Sequence, residues 1–377
     1  MPASAGFFFM PSTILYLYSL QRFGMKFGLR NIRTLLRTIG DPQKEFPSIH
    51  VAGTNGKGST AAMIAAIYSA AGYRVGLYTS PHLVRFNERI RINGIDIADR
   101  DVTRIVRILR PAIEKTQSTF FEATTAVAFR YFAEQRVDIA VIETGLGGRL
   151  DSTNVIRPIV SVITSIGKDH TEQLGRTYSS IAGEKAGIIK SEVPIVVGNV
   201  RGAALAVIRD TAFSKHSALL LSRNIKIPRN IILQLRGPYQ LDNARCAIAA
   251  VTLTADRFLI GDAAVKHGLE KTMELTGLRA RCETIHLSPT VILDVAHNPD
   301  GMRALIGQLN TMPIRKLIVI FGVMKDKDYT SMLGAFKSLK PTIICTQPVT
   351  DRALSVQKLC EVCGVLNFQT VSAVSVR

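Results

Sequence analysis

The sequence contains no tryptophan, and none of its uncharged apolar runs reaches the roughly 18 residues that a membrane-spanning helix requires. A helical membrane protein is therefore excluded, and no membrane partner is expected. Acidic residues are scarce, 29 against 47 basic ones, giving a formal net charge of +18 over 377 residues. That balance suits a polyanionic partner: nucleic acid, anionic lipid or small polyanionic substrates. The basic residues are scattered and do not alternate with aromatics as in a nucleic-acid module. Small anions are favoured, and no nucleic-acid partner is expected. The 5 cysteines, Cys246, Cys282, Cys345, Cys360 and Cys363, are odd in number and irregularly spaced. They argue against a disulfide framework and for a reducing, cytoplasmic compartment. Cys360 and Cys363 form a lone C-x-x-C without the partner pair that usual zinc spacings need. The opening "MPASAGFFFMPSTILYLYSL" has neither a basic leading segment nor an A-x-A cleavage site after its apolar residues. It reads as a cytosolic start with a few surplus residues before Met10.

What is present is an ordinary soluble composition, 47% hydrophobic and 20% charged, on a chain long enough for two domains. Apolar residues recur at helical spacing from Ile14 to Leu36, and Gly40, Asp41 and Pro42 stop that helix. Short β-branched runs then alternate with helical segments. "SIHVAG", "RVGLYTS", "DIAVIETG", "IVSVITSIG" and "VPIVVGN" read as strands. Helices are expected over Ser59–Ala71, Asp101–Lys115, Thr124–Gln135, Ser179–Ile189 and Leu241–Ala255. The alternation implies parallel sheets with helices on both faces. It restarts after "TGLRARCE" with "TVILDVAHNP", a helix from Asp300, "KLIVIFGVM", another helix and "PTIICTQ", which places a second, smaller α/β domain from about Leu278.

The stretch "HVAGTNGKGST", His50 to Thr60, fails the generic G-x-x-x-x-G-K-[ST] pattern, because Gly53 and Gly56 are too close and Gly58 separates Lys57 from Ser59. Its ingredients still suit phosphate: glycines that let backbone N–H groups approach an anion, a lysine, and hydroxyls at a helix start. A phosphate cradle and a structural turn are the two readings that the pattern leaves. Four further stretches carry polar groups at predicted strand or helix ends: "YTSPHL", "IETGLGGRLDSTN", "SIGKDHTEQLG" and "EKAGIIK". A fifth, "LDVAHNPDG", lies in the second domain.

Together these motifs resemble, in order and spacing, the bifunctional folylpolyglutamate synthase/dihydrofolate synthase family, which belongs to the Mur-ligase group of ATP-dependent amide-forming enzymes. The resemblance runs from about Tyr16 to the end of the chain and favours the phosphate cradle, since that family's loop has the same compressed form. It implies an α/β fold: a P-loop Mur-ligase-like central domain over residues 1–277, with a parallel-type sheet flanked by helices. A smaller Rossmann-like glutamate-ligase domain would follow over 278–377. It also implies a reaction, in which ATP activates a carboxylate to an acyl phosphate that the amine of L-glutamate attacks. The acids would be dihydropteroate, (tetrahydro)folates, or both. The implied cofactors are ATP, as co-substrate, and Mg²⁺ at two sites. A monomer is expected.

By the same resemblance Gly56, Lys57, Gly58 and Ser59 hold ATP phosphates, with Lys57, Lys185 and His170 as catalytic groups. Ser80 and Glu143 match the ligands of one Mg²⁺ and His170 a ligand of the second; Lys185 matches a carbamylated lysine, N6-carboxylysine. Read without the family, Lys185 is an exposed helix lysine paired with Glu184 or another acid. Asn243, Arg281, Asp294 and His297 match nucleotide contacts, Asp294 suiting ribose hydroxyls. His297 reads equally as a satisfied histidine at a strand end. Phe121, Glu122, Ala123, Thr124, Arg149, Leu150 and Asp151 match the pterin-substrate region, an aromatic for stacking and an acid for the donor edge. Phe121 reads equally as core. Two departures stand out. The family has a W-P-G-R type stretch where this chain reads "LRARCE", and the chain ends at Arg377, which is expected to leave the second sheet short. Another Mur-type ligase acting on a cell-wall precursor and a non-catalytic nucleotide-binding module are the alternatives.

Overall fold

The computed structural model describes residues 12–24 and 26–373, so the start expected before Met10 lies outside the described residues. The chain forms two compact units. The first comprises Met1–Ile166, Thr177–Gln234 and Asp242–Leu278; the second comprises Gly167–Arg176, Leu235–Leu241 and Arg279–Arg377.

The first unit begins with α1 (Ser12–Ser19) and α2 (Arg30–Thr38). The single helix expected from Ile14 to Leu36 is broken, because Gly24 and Gly28 take φ of 60° and 134°, which helical backbone does not allow. Both pieces still bury apolar residues, Ile14 and Leu17 from α1, and Ile32, Leu35 and Leu36 from α2. β1 (Ser48–Ala52) leads into α3 (Lys57–Ala70), followed by β2 (Val75–Tyr78), β3 (Ile90–Ile92) and β4 (Ile95–Asp96). α4 (Asp99–Thr116) and α5 (Phe120–Glu134) precede β5 (Ile139–Glu143) and β6 (Val160–Ser165). After the short α6 (Thr171–Leu174), which belongs to the second unit, come α7 (Tyr178–Ala186), β7 (Ile195–Asn199), α8 (Gly202–Ser214) and β8 (Leu219–Leu221). α9 (Pro238–Thr252), α10 (Asp262–Glu270) and α11 (Thr272–Thr276) complete the helices before the second unit's main segment.

The 8 strands make one sheet in the order β4-β3-β2-β5-β1-β6-β7-β8. The run from β2 to β8 is parallel, and β3 and β4 extend it antiparallel. β1, β2 and β5 are buried along their whole length, as strands covered on both faces must be. Tyr78, Ala140 and Ile142 face a core shared with Leu109 of α4 and Phe129 of α5. α3, whose alanines permit close approach, packs against β1, β2 and β5 and is buried from Gly58 to Tyr68. β7 and β6 bury Val197, Ile195 and Ile163 against Ala182 of α7 and Ile208 of α8.

The second unit holds the hairpin β9 (Glu283–Leu287) and β10 (Thr290–Leu293), then α12 (Pro299–Leu309), β11 (Ile318–Phe321), α13 (Tyr329–Gly334), β12 (Thr342–Cys345), α14 (Val356–Val365) and β13 (Gln369–Ser372). "TVIL" pairs antiparallel with β9 and does not join the parallel three-stranded sheet β11-β12-β13. Met332, Leu333, Phe336, Ile343 and Leu359 form the core of this unit.

Candidate active site

The glycine loop leaves the C-terminal end of β1 and is held from β6. Thr54 N donates to the Ser165 carbonyl at 2.9 Å, Asn55 N donates to Ser165 Oγ at 3.0 Å, and Thr164 Oγ1 donates to the Asn55 carbonyl at 2.6 Å. A Cβ on Gly53 would overlap Thr164 Oγ1, so the loop and β6 meet where no side chain fits. Gly56, with φ of 85°, forms the N-cap of α3, and a Cβ there would collide with Asn243 Oδ1. Asn243, on α9, also accepts a long bond from Thr60 Oγ1 at 3.4 Å. The N–H groups at the start of a 14-residue helix supply partial positive charge for an anion.

Two ammonium groups converge on this loop. Lys57 Nζ donates to the carbonyls of Gly53 and Thr54, each at 3.2 Å. Lys185 Nζ, from α7, donates to the same Gly53 carbonyl at 2.8 Å. Lys185 is 3% exposed, so the solvated helix lysine is not what the fold contains. Glu184 pairs instead with Arg149, at 2.8 Å. Sequence neighbours on one helix thus face opposite ways, one toward the loop and one toward an exposed arginine.

Glu143 ends β5 with its Cα paired to Val51, which places its buried carboxylate at the strand end beside the loop. Its Oε2 accepts from Ser80 N at 3.0 Å. Among the described residues no group of three or more His, Cys, Asp or Glu is arranged to hold a metal. A buried carboxylate hydrogen-bonded to Ser80 N fits Mg²⁺, which keeps waters and phosphate oxygens in most of its positions.

The residues matched to the pterin region have varied surroundings. Phe121 is half-buried, its ring against Gly145, where a Cβ would lie 2.5 Å from Cζ, and 6.0 Å from the Tyr78 ring. Glu122 and Thr119 form the capping box of α5: Thr119 N donates to Glu122 Oε2 at 2.7 Å, and Glu122 N to Thr119 Oγ1 at 3.2 Å. Ala123 and Thr124 are fully buried, with Thr124 Oγ1 donating to the Phe120 carbonyl at 2.7 Å. Arg149 is exposed, Leu150 half-buried, and Asp151 buried as the N-cap of the turn that follows it. Burial raises the Asp151 pKa against the lowering effect of its hydrogen bonds from Thr153, Leu146 and Gly145.

Sequence reasoning missed a neighbouring aromatic cluster. Tyr18 stacks on Phe120 with centroids 5.6 Å apart, and the Arg89 guanidinium lies 5.1 Å from the centroid of that ring. Arg89 Nε donates to His82 Nδ1 at 2.7 Å, so His82 Nε2 carries the proton that Tyr18 Oη accepts at 3.0 Å. Burial, with Arg89 beside it, pushes the His82 pKa down to about 4. The available signal was His82 itself, inside "YTSPHL".

In the second unit Asp169 is a hub. It accepts from Lys327 Nζ at 2.7 Å and Asn298 Nδ2 at 3.1 Å, and His297 Nε2 lies 3.4 Å away. Burial would raise its pKa, but the bonds from His297 and Lys327 outweigh that and hold it well below the usual carboxylate range. His170, at φ of 49°, has Nε2 3.5 Å from Lys327 Nζ. Lys327 and Asn298 escaped the sequence reading because they lie 158 and 129 residues from Asp169. Asp294 accepts from Cys282 N at 2.8 Å and Ala296 N at 2.7 Å, and burial still raises its pKa, with Arg281 acting in the opposite sense. Arg279 is tied to Glu283 at 2.6 Å, so Arg281 is the arginine that the turn presents near Asp294.

A parallel sheet feeding a lysine-bearing glycine loop, with a buried glutamate at the neighbouring strand end, is the arrangement of an α/β phosphate-binding domain. Residues 51–227 match the Mur ligase middle domain and residues 280–376 the Mur ligase glutamate ligase domain. The dihydrofolate synthase/folylpolyglutamate synthase of Bacillus subtilis is 40% identical over 362 residues, covering 87% of this chain and 83% of that protein. Among solved structures, Escherichia coli FolC in complex with DHPP and ADP superposes with a TM-score of 0.87 at 30% identity, covering 96% of this chain and 89% of that one. Mycobacterium tuberculosis folylpolyglutamate synthase complexed with ADP and AMPPCP gives 0.88 at 32% identity, covering 97% and 89%. The chain belongs to the folylpolyglutamate synthase/dihydrofolate synthase family of Mur ligases. Its members are ligases that form carbon–nitrogen bonds.

Proposed function

We propose that this protein joins L-glutamate to the carboxylate of dihydropteroate, of a (tetrahydro)folate, or of both, at the expense of ATP. The observation that carries the reading is Lys185. A lysine 132 residues from Gly53 in sequence is buried with its Nζ on that loop carbonyl. In the proposed reaction the pterin acid's carboxylate attacks the terminal phosphorus of ATP and ADP leaves. The amine of glutamate then attacks the acyl phosphate and phosphate leaves, forming the amide. Phosphoryl transfer is mainly positioning and charge neutralisation, the work assigned to the Gly56–Ser59 amides and Lys57.

Glu143 and Ser80 would hold Mg²⁺, which when bound neutralises phosphate charge. A carbamylated Lys185 would present an anion in place of an ammonium. His170 as placed, with an ammonium 3.5 Å from its Nε2, does not fit a second Mg²⁺. Asn243, Arg281, Asp294 and His297 are proposed nucleotide contacts, and the Phe121 region the pterin contact. A monomer acting in the cytoplasm, in two domains divided near residue 278, completes the proposal; among the described residues no helix is long and apolar enough to cross a membrane. ADP release measured with dihydropteroate, and separately with tetrahydrofolate, tests the reading: it should require both L-glutamate and a pterin acid. Turnover indifferent to glutamate would overturn it.

A further inference from the structure

We infer that His50 is a positioning residue for ligation: through Thr153 and Asp151 it sets the loop on which Phe121 rests. The inference rests on the function proposed above for its kinetic consequence, and on geometry alone for the relay itself.

His50 lies in β1, fully buried, with Nε2 2.8 Å from Thr153 Oγ1. That hydroxyl donates its single proton to Asp151 Oδ1 at 2.5 Å, so toward His50 it can only accept. Nε2 must therefore carry the imidazole proton. Nδ1 has no hydrogen-bond partner among the described residues, and a proton placed there would be buried and unpaired. Burial, with Lys190 adding to it, pushes the His50 pKa down to about 3, which keeps the ring neutral.

Asp151 passes the constraint on. Its Oδ1 also accepts from Thr153 N at 3.0 Å, and its Oδ2 from Leu146 N at 2.8 Å. Gly145, the next residue back, is the bare surface under the Phe121 ring. The far side of the loop is fixed independently, by Asn154 Nδ2 on the carbonyls of Arg149 and Gly187, each at 3.0 Å. The His50 relay is thus the anchor on the Phe121 side, and it comes from the strand that also feeds the phosphate loop. His50 touches no reacting group in this arrangement. It acts through Asp151.

The test pairs a disruptive with a conservative change at two positions. His50→Leu removes the donor, while His50→Gln restores an N–H at similar reach; Thr153→Val removes the hydroxyl and Thr153→Ser keeps it. For dihydropteroate, KM should rise about tenfold in the Leu and Val variants and stay within about threefold in the Gln and Ser variants. KM for ATP should stay within about twofold in all four. Equal rises in both KM values, or no difference between the members of a pair, would overturn the inference; if His50→Leu fails to fold, the Thr153 pair decides. Nitrogen-15 NMR of the whole chain should show the Nε2–H tautomer, and Phe121 ring resonances should move in Thr153→Val but not in Thr153→Ser. An Nδ1–H tautomer, or unmoved rings, would overturn the relay whatever the activity. A parent protein without pterin-dependent turnover, but with these spectra, would sink the proposed function and leave the relay standing.

Discussion

Gly56→Ala and Gly72→Ala form a matched pair that separates backbone strain from damage to the loop. Their φ values are nearly equal, 85° and 90°. An alanine in that region costs about 1–2 kcal/mol, so both variants should lose that much stability. Their surroundings differ. A Cβ at Gly72 meets nothing within 4 Å, whereas one at Gly56 runs into Asn243 Oδ1. Either Asn243 withdraws, losing its bond to Thr60, or the loop shifts by some tenths of an ångström. Misplacement on the order of 1 Å can cost about 100-fold in rate. We therefore expect kcat/KM for ATP to fall between about 10- and 100-fold in Gly56→Ala, or about 1.4–2.7 kcal/mol of barrier, and less than about twofold in Gly72→Ala. Urea denaturation and ADP release on the same preparations give both quantities. Gly56→Ala turnover within twofold of the parent, at a stability loss matching Gly72→Ala, would refute the assignment of this loop to phosphate.

Glu143→Gln keeps an oxygen for Ser80 N but weakens a hard-cation ligand, so the Mg²⁺ concentration for half-maximal activity should rise by about tenfold or more; an unchanged titration would make Glu143 structural. Lys185→Ala should lose amide formation at saturating ATP and Mg²⁺, with partial recovery on adding a short carboxylate, and a rate within about threefold of the parent would contradict the proposed role. His50 predicts a pH effect. Its folded pKa, about 3, lies below the unfolded value of 6.5, so the unfolded chain binds the extra proton as pH falls below 6.5 and stability drops down to about pH 3. Between pH 7 and 5 this one group should remove about 2 kcal/mol, and His50→Gln should flatten that part of the curve measured by denaturation. A parent and variant with parallel curves would contradict the burial of a neutral ring.

The elements that could be read from the sequence are those whose signal is local. "SIHVAG", the glycines and the alanine-rich run place β1, the loop and α3 to within a few residues, because buried parallel strands are short apolar runs and the helix start is marked by glycine. The β3–β4 hairpin went unread although Asn93-Gly94, at φ of 44° and 78°, is the expected two-residue turn. The surplus of short apolar pieces around it masked the pattern. The break at Gly24 and Gly28 was overridden by helical periodicity on both sides. Lys57 was singled out from its motif, Glu143 and Lys185 by the family resemblance alone, and the structure brings Lys57 and Lys185 to one carbonyl. What no local pattern carries is partnership across the chain: Lys327 with Asp169, Tyr18 with His82, His50 with Thr153. These contacts exist only once segments far apart in sequence are brought together by the fold.

The central claim, activation of a pterin carboxylate by ATP before glutamate attacks, is tested most directly with dihydropteroate labelled with oxygen-18 in its carboxylate. Transfer of that oxygen to phosphorus in the first step, and its departure with phosphate in the second, predicts one labelled oxygen in the inorganic phosphate for each amide formed. Amide formation with unlabelled phosphate would contradict the account.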